Sequence, residues 1–173
     1  EIRDMETASI AVKAAQTGHM VMSTLHTNDC PQTLTRLQDM GVQAFAVATT
    51  INLITAQRLA RKLQGDLKQP MELPPVEDLL KEGYTEADIA AGLKFYVPGT
   101  SPDCPSGFKG RTGIYQVMPI SDAIKRLIIE GANAVQIADQ AKAEGIWDLR
   151  RSGLMKAGRG ITSLAEINAV TIE

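Results

Sequence analysis

Three short stretches of this chain carry side chains able to do chemistry. At the start, Glu1-Ile2-Arg3-Asp4 puts two carboxylates and a guanidinium within four positions. A carboxylate such as Glu1, at a strand end beside a bound phosphate group, can orient an attacking water or hold a divalent cation through water. Arg3 either pairs with Asp4 to fix the loop or contacts phosphate, and the residues alone leave both readings open. The second stretch, TGHMVMSTLHTN from Thr17 to Asn28, contains both histidines of the chain, His19 and His26. His26 sits at the polar end of an apolar run, close to Thr24 and Thr27, where an imidazole can donate to a phosphate oxygen. His19 precedes that run, and for it a structural role weighs equally. The third group is the thiols, Cys30 and Cys104, far apart in sequence. Arg58 and Arg111 are candidates for subunit-interface or phosphate-facing cations, beside the simpler reading of surface charge.

The elements that must hold these residues follow from periodicity. Ala8, Ala11, Val12 and Ala15 recur at helical spacing, which predicts a helix over 5–15 with a small-residue stripe against a sheet. The run 20–25 reads as a buried strand whose C-terminal edge carries polar groups, the ligand side of an open α/β sheet. Pro31 suits the first turn of a helix ending near Gly41. A long helix is expected over 44–63, with Val47, Ile51, Ile54 and Arg58 near one face. Residues 65–75 are loop-like. Thr85 and Asp88 form a capping-box pattern for a helix closing at Gly92, 94–97 reads as a strand, and Phe108–Pro119 as a strand or hairpin. The last third is helical: Ile124, Leu127 and Ile128 form a stripe behind Ser121, and Asn133 with Gln136 makes a second capping box. Residues 147–157 form a further helix with Trp147 in the core, and Ser163 with Glu166 starts the last one.

Composition bounds the rest. The 173 residues are 44% hydrophobic, enough for one core or a core with a satellite domain. A net charge of −2 offers no basic field for nucleic acid or an anionic membrane. No run of about 18 apolar residues is long enough to span a bilayer. Two cysteines argue against a disulfide framework and for a reducing compartment. The chain starts without methionine or signal segment, so it is expected to be part of a longer protein.

The stretch EIRDMETA, Glu1 to Ala8, resembles the Walker B block of the type II secretion and type IV pilus ATPases. Thr17 to Asn28 resembles that family's His box almost residue for residue. GFKGRTGIY, Gly107 to Tyr115, and Leu149-Arg150 followed by GITSL, Gly160 to Leu164, also match. The blocks occur in the right order and cover essentially the whole chain. The resemblance implies an α/β fold: the C-terminal part of a RecA-like P-loop ATPase core over 1–63, an inserted subdomain over 64–118 at the family's zinc-binding region, and a C-terminal helical domain over 119–173. It gives Glu1 and His26 catalytic roles and places Arg3, Thr24 and His19 at the nucleotide. ATP and Mg²⁺, the metal held through water at Glu1, are the implied cofactors of the parent protein.

What the resemblance implies for the parent is a hexameric motor that hydrolyses ATP to drive type IV pilus assembly. Its partners would be other copies of itself, an inner-membrane platform protein and pilus assembly components. It would lie in the cytoplasm, peripheral to the bacterial inner membrane, without binding nucleic acid. A type II secretion ATPase and a non-catalytic assembly or regulatory module are the alternatives. Residues 123–130 loosely resemble a helical motif of the retraction motors. Two departures matter. No G-x-x-x-x-G-K-[ST] loop occurs, so the phosphate cradle is expected upstream and this chain alone is expected to hydrolyse nothing. The family's two C-x-x-C pairs align with Gln64 and Leu67, then Ser101 and Cys104. One thiol cannot replace four ligands, so no zinc is expected and Tyr84, Leu93, Phe95, Tyr96 and Phe108 should anchor the subdomain instead.

Overall fold

A computed structural model describes residues 1–171. The last two positions of the expected 119–173 segment lie outside the described residues. In chain order the elements are α1 (Met5–Gln16), α2 (Cys30–Asp39), α3 (Ala44–Thr50), β1 (Leu53–Leu63), β2 (Gln69–Pro70), α4 (Val76–Glu82), α5 (Glu86–Ala90), β3 (Tyr96–Val97), β4 (Phe108–Pro119), α6 (Asp122–Ile129), α7 (Ala134–Ala143), α8 (Leu149–Ala157) and α9 (Leu164–Thr171). β1 pairs with β4 and β2 with β3. Ile120 N–H donates to Asn52 C=O near one end of the long pair, and Gln64 N–H to Gly107 C=O at the other, so β1 and β4 run antiparallel.

The chain packs as two compact units, residues 1–56 with 116–147 and residues 57–115 with 148–173. The division falls inside both long strands. In the first unit α3 packs on α6 and α1, and α2 packs on α7. Its core gathers Ala8, Leu34, Val47, Met118, Ile124, Ile128 and Ile137. The expected stripe on α6 is observed, with Ile124 and Ile128 fully buried and Leu127 partly so. Cys30 ties the start of α2 to the strands: its N–H donates to Gln116 Oε1 at 3.0 Å, and its thiol to the carbonyls of Ile54 and Gln116 at 3.5 Å. Burial pushes that thiol up to about 11, so Cys30 is an inert packing residue.

In the second unit α8 packs on α9 and α4 on α5. Leu79, Tyr84, Phe95, Ile114, Leu154 and Ile167 are buried there. Tyr84 and Phe95 meet edge to face at 5.6 Å between ring centroids, while Leu93, Tyr96 and Phe108 are half-buried. Both predicted capping boxes form, at Thr85/Asp88 and at Asn133/Gln136. Pro31 opens α2 behind its Asp29 cap.

Several expectations give way. The helix expected over 44–63 ends at Thr50, and β1 begins at Leu53. Thr49, Thr50, Ile51, Ile54 and Thr55 are β-branched, and exposure alternates along Leu53 to Ala60, the period-2 pattern of a strand with one packed face. The run 20–25 forms no strand. Among the described residues its main chain bonds at Thr24, whose C=O accepts from Ile2 N–H, and Met20 and Met22 are about nine-tenths exposed, because a strand exists only where neighbours satisfy its ladder. Trp147 is 47% exposed rather than core, since Asp148 caps α8 and leaves Trp147 outside it. Helix α4 follows directly on the loop-like 65–75 stretch, with Pro75 as its N-cap, where no element was expected.

Candidate active site

Glu1, Arg3 and His26 come together in the first unit. Arg3 Nη2 donates to Glu1 Oε2 at 2.5 Å, and His26 Nε2 lies 2.7 Å from Glu1 Oε1. The carboxylate is thus held by one donor on each oxygen. The Arg3 guanidinium, above all through that hydrogen bond, holds the Glu1 carboxyl below the usual carboxylate range. The His26 side chain is 90% exposed, so its ring is open to a ligand on its far side.

Local structure explains the placement. Asp4 is the N-cap of α1, its Oδ1 accepting from Thr7 N–H at 2.8 Å, which leaves residues 1–3 extended just before the helix. The Arg3–Asp4 ion pair is therefore not formed: Asp4 is committed to the helix end and Arg3 turns to Glu1. The bond from Ile2 N–H to Thr24 C=O, 2.9 Å, lays residues 1–3 beside the segment carrying His26. On the far side of His26, Thr27 Oγ1 meets Thr33 Oγ1 at 2.7 Å, and Asp29 caps α2.

The other predicted site residues stand differently. Thr24 contributes its carbonyl to the Ile2 bond and keeps its side chain exposed. His19 is held at the C-terminal end of α1, its Nδ1 3.0 Å from Thr17 Oγ1 and 3.3 Å from Ala14 O. That is a helix-closing contact, apart from the Glu1 cluster. Arg58 is half-buried on β1 and Arg111 is exposed on β4, both in the second unit and apart from the Glu1 cluster. Sequence reasoning missed Arg36, which lines a cleft of about 110 Å³ with Ile2, Arg3, Leu25, His26 and Met40. The signal available was its position, one helical turn beyond Thr33.

The donor set fits an oxyanion better than a bare metal. Arg3, His26 and Arg36 supply N–H groups suited to phosphate oxygens. Among the described residues no cluster of three or more His, Cys, Asp or Glu gathers as metal ligands. Glu1 alone suits a Mg²⁺ whose remaining ligands are water and phosphate, the usual arrangement for that ion. In the second unit, the two positions aligned with the zinc clamp are turns closed by hydrogen bonds. Leu67 N–H donates to Gln64 C=O at 3.0 Å, and Ser101 and Cys104 exchange main-chain bonds of 3.2 and 3.1 Å.

The sequence and the mixed α/β fold match known proteins. The chain belongs to the type II/IV secretion system protein family, whose pattern it fits over residues 1–169. It is 57% identical over 171 residues to the type IV pilus assembly ATPase PilB of Pseudomonas aeruginosa, covering 99% of this chain and 30% of that protein. It is 40% identical to the type II secretion system protein E of Dickeya dadantii, covering 100% of this chain and 34% of that one. The solved pilus retraction motor PilT with bound ADP superimposes with a TM-score of 0.66 at 21% identity, over 100% of this chain and 38% of that structure, a likeness of fold. The chain spans about 30% of the length of the pilus assembly relatives it matches.

Proposed function

We propose that this chain is the C-terminal part of an ATP-hydrolysing motor for type IV pilus assembly. The carrying observation is the Glu1 carboxylate held between Arg3 and His26, in a chain whose pilus assembly relative is 57% identical while the type II secretion relative is 40% identical. Glu1 orients the attacking water and steadies Mg²⁺ through water. His26, donating to Glu1 on one side and open on the other, reports the terminal phosphate to the rest of the unit. Arg3 keeps Glu1 ionised. Thr24 stands on the nucleotide side of the segment, whereas His19 closes the C-terminal end of α1.

In this reading residues 1–63 complete a RecA-like core, 64–118 form the inserted subdomain and 119–173 the helical domain. The parent assembles as a hexamer on the cytoplasmic face of the inner membrane, working against a platform protein, and uses ATP and Mg²⁺ but no zinc. The described residues contain no helix long and apolar enough to cross a membrane.

The test is ATP turnover by the full-length protein carrying Glu1→Gln or His26→Ala. Each should lower kcat by about 10²-fold or more, the range for loss of a positioned acid–base group. Unchanged turnover in both variants would sink the assignment.

A further inference from the structure

Helix α2 presents a face that the candidate site does not yet explain. Thr33, Arg36, Leu37 and Met40 fall at helical spacing on one side of it. Thr33 anchors that side, since its Oγ1 donates to Asp29 C=O at 2.9 Å and meets Thr27 Oγ1 at 2.7 Å. Leu37 is buried at 5% exposure, fixing the rotation of the helix. Arg36, one turn on from Thr33, is thereby held at the cleft shared with Arg3 and His26.

The charges in that cleft do not balance. Arg3 and His26 both spend a donor on Glu1, and one carboxylate offsets one guanidinium. Among the described residues Arg36 has no hydrogen-bond or ion-pair partner for its side chain, whereas Arg3, Arg61, Arg150 and Arg151 each hold a carboxylate. Half-buried Ile2, Leu25 and Met40 form the other walls, while the Arg36 side chain itself is open to solvent and to a ligand. An unpaired guanidinium there, beside the Arg3 N–H groups that Glu1 does not take, is a place for an anion.

We propose that Arg36 is a phosphate-binding residue: with Arg3 and His26 it takes the terminal phosphate of a nucleoside triphosphate in this cleft. The inference rests on the nucleotide reading above and adds a ligand contact from α2 to it. It also supplies a route for the nucleotide state to reach α7, because α2 packs on α7.

The test compares binding of ADP and of the slowly hydrolysed analogue ATPγS to the full-length protein, by calorimetry. Arg36→Ala should weaken ATPγS by about 10- to 100-fold, the range for a lost hydrogen bond to a charged group, and change ADP less than about 2-fold. Arg36→Lys should recover part of the loss. Arg36→Gln, which keeps the bulk and helix preference, separates charge from folding and should behave like Arg36→Ala. Equal weakening of both nucleotides, or of neither, overturns the proposal. Wild-type protein that binds neither nucleotide overturns the nucleotide reading itself, whereas an ATPγS affinity sensitive to His26→Ala but not to Arg36→Ala leaves that reading standing without Arg36.

Discussion

Glu166 holds Arg61 through main chain and side chain together. Its Oε1 accepts from the Arg61 backbone N–H at 2.9 Å, and the two carboxylate oxygens take Nε at 3.0 Å and Nη2 at 2.6 Å. Thr162 Oγ1 donates to Arg61 C=O at 2.7 Å, so both main-chain groups of Arg61 are satisfied from the approach to α9. The Arg61 guanidinium is 56% exposed and screened by water, which leaves the backbone acceptor as the larger contribution. Glu166→Ala should cost about 1.5–3 kcal/mol in urea unfolding. Glu166→Gln, which keeps an acceptor for the N–H, should cost less. Equal losses would show that the ion pair rather than the main-chain bond does the holding.

The same carboxylate sets an acid response. Hydrogen bonds from Arg61 hold Glu166 below the usual carboxylate range, and bonds from Arg151 do so more strongly for Asp88, at 2.6 and 2.7 Å. A folded-state value below the unfolded one means the stabilisation is complete above about pH 4 to 5 and fades as pH falls below that. Denaturant midpoints measured from pH 7 to pH 3 should therefore drop steadily below about pH 5. Asp88→Asn should flatten the decline while lowering the neutral-pH midpoint. A midpoint that rose on acidification would contradict the assignment.

Local signals were legible in the sequence and long-range ones were not. Thr85 with Asp88, Asn133 with Gln136, and Pro31 act within one helical turn, and each does in the fold what its type predicts. Val47, Ile51, Ile54 and Arg58 also fit a helical stripe, but β4 offers residues 53–63 a ladder, and that pairing outweighs local preference. Residues 20–25 show the converse: a strong strand pattern that, among the described residues, forms no ladder. At the site, Glu1 and His26 were readable as types. Their 2.7 Å contact was not, because it depends on the bond that lays Ile2 beside Thr24. Asp4 looked like an ion-pair partner because a cap and a salt bridge call for the same residue. Arg36 went unnoticed because a lone arginine on a helix shows its meaning only through the cleft it faces.

The stretch over residues 64–118 is expected to be indifferent to chelators. Its two clamp positions are closed by main-chain bonds, with Cys104 Sγ also donating to Phe108 C=O at 3.4 Å. Close backbone approach takes over there: a Cβ on Gly99 would come within 2.1 Å of Leu67 O, and Gly107 has φ +69° with Gly99 O equally close to its Cβ position. Excess EDTA should leave the Tm unchanged, and metal analysis of the purified protein should show no stoichiometric zinc. Gly99→Ala, by contrast, should lower the Tm by several degrees, since overpacking costs about 1–3 kcal/mol. A chelator-induced drop of that size would mean the subdomain keeps a metal.

Tyr84 separates ring packing from hydrogen bonding in the same unit. The side chain is buried at 3% exposure, its ring against Phe95, and its hydroxyl donates to Leu154 C=O at 2.7 Å. Burial, helped by the nearby Glu82, pushes the phenol well above its usual range, so it stays protonated and a donor. Leu154 C=O also accepts from Gly158 N–H at 2.9 Å, so removing the hydroxyl does not orphan that carbonyl. Tyr84→Phe should accordingly cost only about 0.5–1.5 kcal/mol. Tyr84→Ala empties a site walled by Phe95 and should cost about 3–5 kcal/mol. The two are compared by urea unfolding at neutral pH. A Tyr84→Phe loss as large as that of Tyr84→Ala would move the weight from the ring to the hydroxyl, and the aromatic pair would no longer be an anchor of this unit.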